Sequence, residues 1–143
     1  MKVLVTKDTM SDIYLAAVKI RQQVFVKEQH VTIEEEIDQN EAYAIHFVLY
    51  LADKPVATVR LLPLNDTELK LQRMAVLKDY RGQNLGATII REAEKFAREQ
   101  HFKKIKLDAQ LTAQKFYEKL GYQAFGEIFQ DARIDHIHME KEL

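Results

Sequence analysis

Apolar residues recur every three to four positions in three parts of the chain, which is the spacing of an amphipathic helix. These parts are residues 11–29, 85–100 and 113–120, and the glycine that follows the third, Gly121, is a typical helix-ending residue. The pattern therefore predicts three helices. Their apolar faces consist of Ile13, Ala17, Ile20 and Val24, then Ile89, Ile90, Ala93, Phe96 and Ala97, and then Ala113, Phe116, Tyr117 and Leu120.

Alternating or continuous apolar runs predict seven strands. They span residues 2–6, 43–52, 56–62, 68–76, 105–108, 122–129 and 134–140. The second and third strands are close enough to form a hairpin through residues 53–55. The order β-α-β-β-β-α-β-α-β-β predicts an α/β chain whose residues 1–143 form one domain, with helices covering the faces of a mixed sheet.

An acidic run, Glu-Glu-Glu-Ile-Asp, occupies residues 34–38 between the first helix and the second strand. Such a run is most simply a solvated linker. It can also attract a cationic substrate by long-range electrostatics.

Composition excludes several classes of protein. The 143 residues carry a formal net charge of −1, whereas a nucleic-acid-binding domain needs a clustered excess of Lys and Arg. No cysteine is present, which excludes disulfides, Cys-bound metal and a cysteine nucleophile. The longest uncharged run, residues 42–52, is about half the ~20 residues of a membrane helix, and the start lacks a signal-peptide core. We expect a cytoplasmic protein without nucleic-acid or membrane partners.

Two of the chain's four glycines lie in a polar turn between the fourth strand and the following helix, beside Arg81. Free N–H groups at such a turn, together with the positive end of the helix dipole, form an anion site. The segment lacks the Gly-Lys-Ser/Thr ending of a phosphate-binding P-loop and is not a G-x-G-x-x-G dinucleotide motif. Packing against a glycine is the alternative explanation for this turn.

On two motifs the chain resembles the GNAT superfamily of acyl-CoA-dependent N-acyltransferases. The family carries Gln/Arg-x-x-Gly-x-Gly/Ala after its fourth strand, and residues 81–86, Arg-Gly-Gln-Asn-Leu-Gly, match it, with Asn84 where glycine is usual. Asparagine tolerates a left-handed backbone better than most residues, so the loop can still close. Residues 110–122 match a second signature, Asn-x-x-Ala-x-x-Phe-Tyr-x-x-x-Gly-Phe/Tyr, with Gln110 in place of Asn.

The resemblance extends over nearly the whole chain to the YjcF/ElaA-like branch of that superfamily. That branch usually ends with Gly-Ile-Pro-His, where this chain has Arg133 and Asp135 in place of Gly and Pro. The residues that carry the resemblance are Arg21, Val24, Phe25, Glu28 and Gln29, Glu36 and Asp38, His46, Arg60, Ala109 and Gln110, and residues 134–139.

The resemblance implies a GNAT-like fold: a mostly antiparallel mixed sheet of six to seven strands, splayed between strands 4 and 5, with helices on both faces. It also implies acetyl-CoA as the acyl donor in that opening. The pantetheine arm would bond backbone groups of residues 74–76, the pyrophosphate would bond the 81–87 loop, and the Val76 N–H would stabilise an oxyanion. The implied cofactor contacts are Met74, Ala75, Val76, Arg81, Gly82, Gln83, Asn84, Leu85, Gly86, Ala87, Gln110 and Phe116.

The implied chemistry is direct attack of an amine on the thioester. Tyr117 is the candidate general acid, with a core-packing role as its alternative. Partial burial beside an apolar helix stripe makes Glu28 our candidate base. Four further base candidates remain open, and for each a structural role is the alternative: Glu36, Asp38, His46 and His136.

The expected acceptor is a primary amine of a small molecule, such as an amino sugar phosphate or a polyamine, or of a peptide. The candidate substrate-binding residues are Glu36, Asp38, His46, Arg60, Arg73 and His136, and Arg133 adds a further cation for a phosphate. No metal is expected, because His136 and His138 share a strand face without a third ligand at suitable spacing. A homodimer paired through the last strands is one option. A non-catalytic acyl-CoA sensor or scaffold is the alternative function.

Overall fold

One seven-stranded sheet organises the chain, of which the computed structural model describes residues 1–143. The order of the strands is β1-β2-β3-β4-β5-β7-β6, and only β4 and β5 run parallel. The predicted mixed, mostly antiparallel sheet is therefore confirmed. The strands are β1 (Lys2–Thr6), β2 (Ile45–Leu51), β3 (Lys54–Pro63), β4 (Glu68–Val76), β5 (Lys104–Gln110), β6 (Gln123–Asp131) and β7 (Ile134–Glu142).

Helices cover both faces of the sheet, as expected. Helix α1 packs Ala17 and Ile20 against Val48 and Ala75 on one face. Helices α3 and α4 pack on the other face, where the larger apolar core lies. The helices are α1 (Asp12–Arg21), α2 (Ile33–Glu36), α3 (Leu85–Glu99) and α4 (Gln114–Lys119), with single 3₁₀ turns at Lys78–Tyr80 and Leu111–Ala113. None of the four is both long and apolar enough to cross a membrane.

The predicted first helix, residues 11–29, changes geometry half-way. The Ser11 side chain caps α1, which ends at Arg21, and the chain continues as a π-helix over Gln22–Glu28. Its wider turns let the Gln29 N–H bond the carbonyl of Val24, five residues back. An apolar stripe does not distinguish the two geometries, because both bury the same face.

The turn between the second and third strands begins one residue earlier than predicted, and the third strand begins two residues earlier. Ala52 and Asp53 both have positive φ, 47° and 66°, and form the two-residue turn of the hairpin. A two-residue turn with positive φ at both positions has a backbone twist that matches the right-handed twist of the flanking strands. Strand β3 therefore begins at Lys54 and includes the proline that the sequence placed in the turn.

The acidic run at residues 34–38 is only in part the solvated linker that the sequence suggested, since Glu34 and Glu35 are exposed but Glu36 is buried. Its first part is helix α2, which begins with a capping box between Thr32 and Glu35. Glu36 is only 1% exposed, because its carboxylate lies against the guanidinium groups of Arg21 and Arg73. A charge pattern alone does not reveal this burial, since the cations come from distant parts of the chain.

A buried ion network joins α1, α2 and the middle of the sheet. Arg21 donates to Glu36 at 2.6 Å and to Glu41 at 2.8 Å. Arg60 donates to Asp38 at 2.7 Å and to the other oxygen of Glu41 at 2.8 Å. Glu41 thus bridges two arginines that are each 1% exposed. Burial raises the pKa of Glu41, but its bonds to Arg21 outweigh that effect and hold the pKa well below its usual range.

Strands β4 and β5 pair over only four residues and then separate. Their last pair is Leu71 with Leu107. Just beyond it, Arg73 adopts a left-handed backbone, φ 57°, at a bulge where the register of β4 with β3 shifts. The predicted splay between strands 4 and 5 is confirmed, and it leaves an opening between residues 72–76 and residues 108–110.

The buried network makes Arg21→Met a strongly destabilising substitution. It leaves Glu36 and Glu41 without their main partner inside the protein, and breaking a buried ion pair in this way costs about 3–5 kcal/mol. Urea unfolding followed by circular dichroism measures the loss. Lys2→Met breaks an exposed pair with Asp53 and serves as the control, with an expected cost below about 1 kcal/mol. Equal costs for the two variants would contradict the structural role of the network.

Candidate functional site

A cavity of about 780 Å³ lies in the opening between β4 and β5. Its wall combines the ends of these two strands with the start of α3, helix α4, the π-helix and the turn between β6 and β7. A volume of this order is typical of small-molecule and cofactor sites.

The loop that enters α3 presents six consecutive unpaired backbone donors. From Gly82 to Ala87, no backbone N–H donates a hydrogen bond within the protein. Asn84 caps the helix in the left-handed conformation, φ 61°, as its tolerance for that region predicted. Its side chain makes no capping bond, so it does not consume the free donors. Free N–H groups at the positive end of a 15-residue helix form a site for an anion.

Gly86 brings the loop close to the cavity wall. A Cβ at this position would lie 3.2 Å from the Phe116 ring and 3.7 Å from the Met74 side chain. The packing explanation of this turn is therefore compatible with the anion-site explanation, because the close contact at Gly86 leaves the free N–H groups available. Met74, Asn84, Leu85 and Phe116 all line the cavity, so the predicted cofactor residues meet there, whereas the side chains of Gln83 and Ala87 stay outside its wall.

Arg81 lies beside the loop with two partners. Its Nε donates to the Val76 carbonyl and its Nη2 to the Glu28 carboxylate, both at 2.9 Å. Glu28 does not line the cavity. Since its carboxylate is paired with Arg81 outside the cavity wall, the structure does not support Glu28 as the base, and partial burial was an insufficient signal.

Tyr117 reaches the cavity from the face that carries α3 and α4. Its side chain is buried in the main core, and burial raises the pKa of its phenol well above the usual value. The hydroxyl bonds no group of the protein, yet its oxygen is not sealed from the cavity that the side chain lines. Tyr117 therefore packs in the core and also points a free donor at the cavity.

His136 reaches the cavity from the opposite face. The register pairs it with Gln110 and pairs His138 with Asp108, and paired residues stand on one face of a sheet. The bond between Lys70 and Asp108, 2.9 Å, lies on that face too. Leu107 and Ala109 alternate with these residues and enter the core beside Tyr117. The splay thus opens the cavity to both faces.

The remaining predicted substrate residues divide into two groups. Glu36 and Arg73 line the cavity. Asp38, His46 and Arg60 do not, because they belong to the ion network or contact it. His46 donates its Nε2 proton to the Glu41 carbonyl at 2.8 Å, so it is a buried structural histidine.

The cations proposed for a phosphate are already paired. Arg60 bonds Asp38, Glu41 and Gln72. Arg133 bonds Glu35 across the cavity rim at 3.0 Å. Arg73 donates to the carbonyls of Glu35 and Glu36. The structure therefore gives no support to a phosphate contact from Arg60 or Arg133.

Two features of the cavity were missed from sequence. Gln110, expected to bind the cofactor, donates to Gln29 at 2.9 Å and so joins the end of β5 to the π-helix. The turn between β6 and β7 places Asp131 and Ala132 at the rim. Gln29 belongs to the motif that carries the resemblance, which was the only available signal.

His138 bonds Asp108 at 2.6 Å, and no three potential metal ligands come together.

Comparison with known proteins gives consistent matches. Residues 8–143 match the family described as the acetyltransferase (GNAT) domain. The chain is 41% identical over 124 residues to YjcF of Bacillus subtilis (strain 168), named as an N-acetyltransferase of uncharacterised activity. That alignment covers 86% of this chain and 88% of YjcF.

Solved structures share the whole fold. A crystal structure from Lactobacillus plantarum, named as an N-acetyltransferase, is 30% identical with a TM-score of 0.91, covering 99% of this chain and 97% of the other. Escherichia coli ElaA is 24% identical with a TM-score of 0.87, covering 99% of each chain. At that identity the second match concerns the fold alone.

The buried environment of His46 predicts a pH-dependent stability. Burial first, and then the charges of Arg21 and Arg60, lower the pKa of His46 in the folded protein. The unfolded chain, with an imidazole pKa of about 6.5, therefore binds more protons, and stability falls as the pH drops below that value. Urea midpoints between pH 8 and 5 should decline less in His46→Gln than in the unmodified chain. His101→Gln, at an exposed histidine, is the control and should leave the decline unchanged.

The free donors at the start of α3 predict that Gly86→Glu weakens coenzyme A binding. The new side chain meets the Phe116 ring and brings negative charge to the anion site. Calorimetric titration with coenzyme A should show an affinity reduced at least tenfold. Gln100→Glu adds the same charge at the exposed far end of α3 and should bind normally. Unchanged affinity in Gly86→Glu would refute the position of the site.

Proposed function

Because the chain belongs to the GNAT acetyltransferase family, we propose that it transfers the acetyl group of acetyl-CoA directly to a primary amine of a small molecule or peptide. GNAT acetyltransferases use acetyl-CoA and act on amine acceptors. One observation carries the assignment of the donor site in this chain: six unpaired N–H groups, from Gly82 to Ala87, beside a cavity that the Tyr117 hydroxyl also reaches.

The acyl donor would lie across the opening between β4 and β5. Its pyrophosphate would accept bonds from the Gly82–Ala87 loop, next to the Arg81 guanidinium. Its pantetheine arm would follow residues 74–76, whose edge has no partner strand beyond Leu71. Unpaired backbone groups at such an edge favour an amide-containing ligand. Phe116 and Met74 supply the apolar wall.

The Val76 N–H would donate to the thioester oxygen. Leu77 donates to the carbonyl of Val56 on β3. Successive N–H groups of a strand point to opposite sides, so the Val76 N–H points away from β3, into the opening. A donor directed at the developing oxyanion contributes about 10²–10³ in rate in other acyl transfers.

Tyr117 would stabilise the departing thiolate. Its raised pKa keeps the phenol protonated at neutral pH, so the hydroxyl stays a hydrogen-bond donor. Full proton transfer from a phenol to a thiolate is unfavourable even in water, because the pKa of a phenol is about 1.5 units higher than that of a thiol. Burial increases that difference, so the contribution of Tyr117 is a hydrogen bond that strengthens as the C–S bond breaks.

The charges around the cavity favour an acceptor without a phosphate. Its cations, Lys70, Arg73 and Arg81, each have carboxylate partners. Asp131 also lines the cavity and has no cationic partner, which favours a cationic acceptor. A polyamine or a peptide amine fits this balance better than an amino sugar phosphate.

A thiol-release assay over a panel of amines tests the function. Acetyl-CoA is incubated with polyamines, amino sugars, amino sugar phosphates and peptides, and released coenzyme A is followed with a thiol reagent. We expect release with at least one polyamine or peptide and an acetylated product in the mass spectrum. Tight coenzyme A binding without release over the whole panel would instead identify an acyl-CoA sensor.

Tyr117→Phe should lower kcat by about 10²-fold with little change in the KM for acetyl-CoA, because the hydroxyl acts mainly as the thiolate forms. Tyr122→Phe is the matched control. That hydroxyl bonds Glu94 at 2.9 Å inside the core, so its loss should reduce stability without lowering kcat. A Tyr117→Phe variant with full kcat would assign Tyr117 to packing alone.

A further inference from the structure

We propose that His136 is the catalytic base that removes the proton from the acceptor amine. This inference rests on the proposed function, since it assigns one step of that reaction. His136 lies near the start of β7, lines the cavity and is 8% exposed. It reaches the opening from the face opposite Tyr117.

The hydrogen bonding of the His136 ring determines which nitrogen is basic. Nδ1 lies 2.7 Å from the Ile134 carbonyl oxygen. A carbonyl only accepts, so Nδ1 carries the proton of the neutral ring and Nε2 has a free lone pair. Nε2 bonds no group of the protein and is not sealed from the cavity. The ring therefore holds an available proton acceptor.

The neighbours of His136 hold the ring in place. Phe129 of β6 is paired with it and stacks on it, with centroids 5.8 Å apart. Gln110 of β5 is its partner on the other side and is itself bonded to Gln29. Two flanking strands and one backbone bond thus fix the ring at the rim of the splay, where an acceptor must approach the thioester.

The other base candidates lack an available lone pair in the cavity. Glu28 is paired with Arg81 outside the cavity wall. Asp38 accepts from Arg60 and Arg73 and does not line the cavity, and Nε2 of His46 is bonded to Glu41.

Glu36 does line the cavity, but its Oε1 accepts from Arg21 and its Oε2 is sealed from solvent. Among the five candidates, only His136 combines a basic atom without a partner with access to the cavity.

The opposed faces also account for both protons of the reaction. The ammonium gives one proton to Nε2 of His136, and the neutral nitrogen then attacks the thioester carbon. As the C–S bond breaks, the second nitrogen proton passes to the departing sulfur, which the Tyr117 hydroxyl stabilises through a hydrogen bond. His136 returns its proton to solvent. The products are the acetylated amine, coenzyme A thiol and one proton.

A matched pair of acceptors tests the assignment. One is the best alkylamine of the panel, which is protonated at pH 7.5, and the other is its alkoxyamine isostere, with oxygen in place of the carbon next to nitrogen, which is neutral at that pH. His136→Gln should lower kcat about 10²-fold for the alkylamine and less than about fivefold for the alkoxyamine, because a neutral nucleophile needs no base before attack. Coenzyme A affinity should not change.

His101→Gln is the control. His101 is exposed just beyond the end of α3 and does not line the cavity. We expect it to keep the wild-type rate with both acceptors. Equal losses for the two acceptors in His136→Gln, or no loss, would overturn the base while leaving the acetyltransferase function intact. A wild-type chain that releases thiol with no amine would overturn both.

Nitrogen-15 NMR of the unmodified protein tests the ring independently of turnover. We expect the neutral ring of His136 to carry its proton on Nδ1 and to have a bare Nε2. A proton on Nε2 of the neutral ring would overturn the assignment regardless of the kinetics.

Discussion

The loss of pairing between β4 and β5 beyond Leu71 and Leu107 is the constraint on which the site depends. In a sheet whose inner strands are paired along their whole length, no inner strand has free backbone groups. Here the end of β4 has no partner strand on the β5 side. The bulge at Arg73 directs β4 away from β5 at that point. Unpaired backbone groups require partners. Arg81 satisfies the Val76 carbonyl, and the remaining groups are available to a ligand that carries amides of its own.

The face that carries α1 is held together by charge as well as by apolar packing. Its apolar cluster is small, with only five buried residues, and the Arg21, Arg60 and Glu41 network lies beside it. Removing charges from water is costly unless each is well bonded, and here both arginines make several bonds. The same contacts bury Glu36 at the cavity wall. The ion pairs that hold α2 in place therefore also fix the position of this carboxylate beside the cavity.

The splay places different chemistry on the two faces of one sheet. On the α3 and α4 face, an apolar wall, a free helix terminus and Tyr117 suit a thioester donor and its leaving group. On the opposite face, His136, Gln110 and the carboxylates suit a polar, cationic acceptor. Since the alternation of a strand sends neighbouring residues to opposite faces, β5 alone contributes to both: Ala109 to the core and Gln110 to the acceptor side. In the proposed function, donor and acceptor would therefore meet at the thioester without competing for space.

Apolar periodicity and local backbone preferences, such as that of Asn84, were enough to predict the seven strands, the mixed sheet and the loop at residues 81–87, but not the short helix α2. The sequence also brought Tyr117 and His136 into consideration. It did not reveal the burial of Glu36, the pairing of Glu28 with Arg81 or the structural role of His46, since each depends on a partner far away in the chain. Only the tertiary structure decided which polar groups are already bonded and which remain free to react. That distinction rests on long-range contacts that no local pattern encodes.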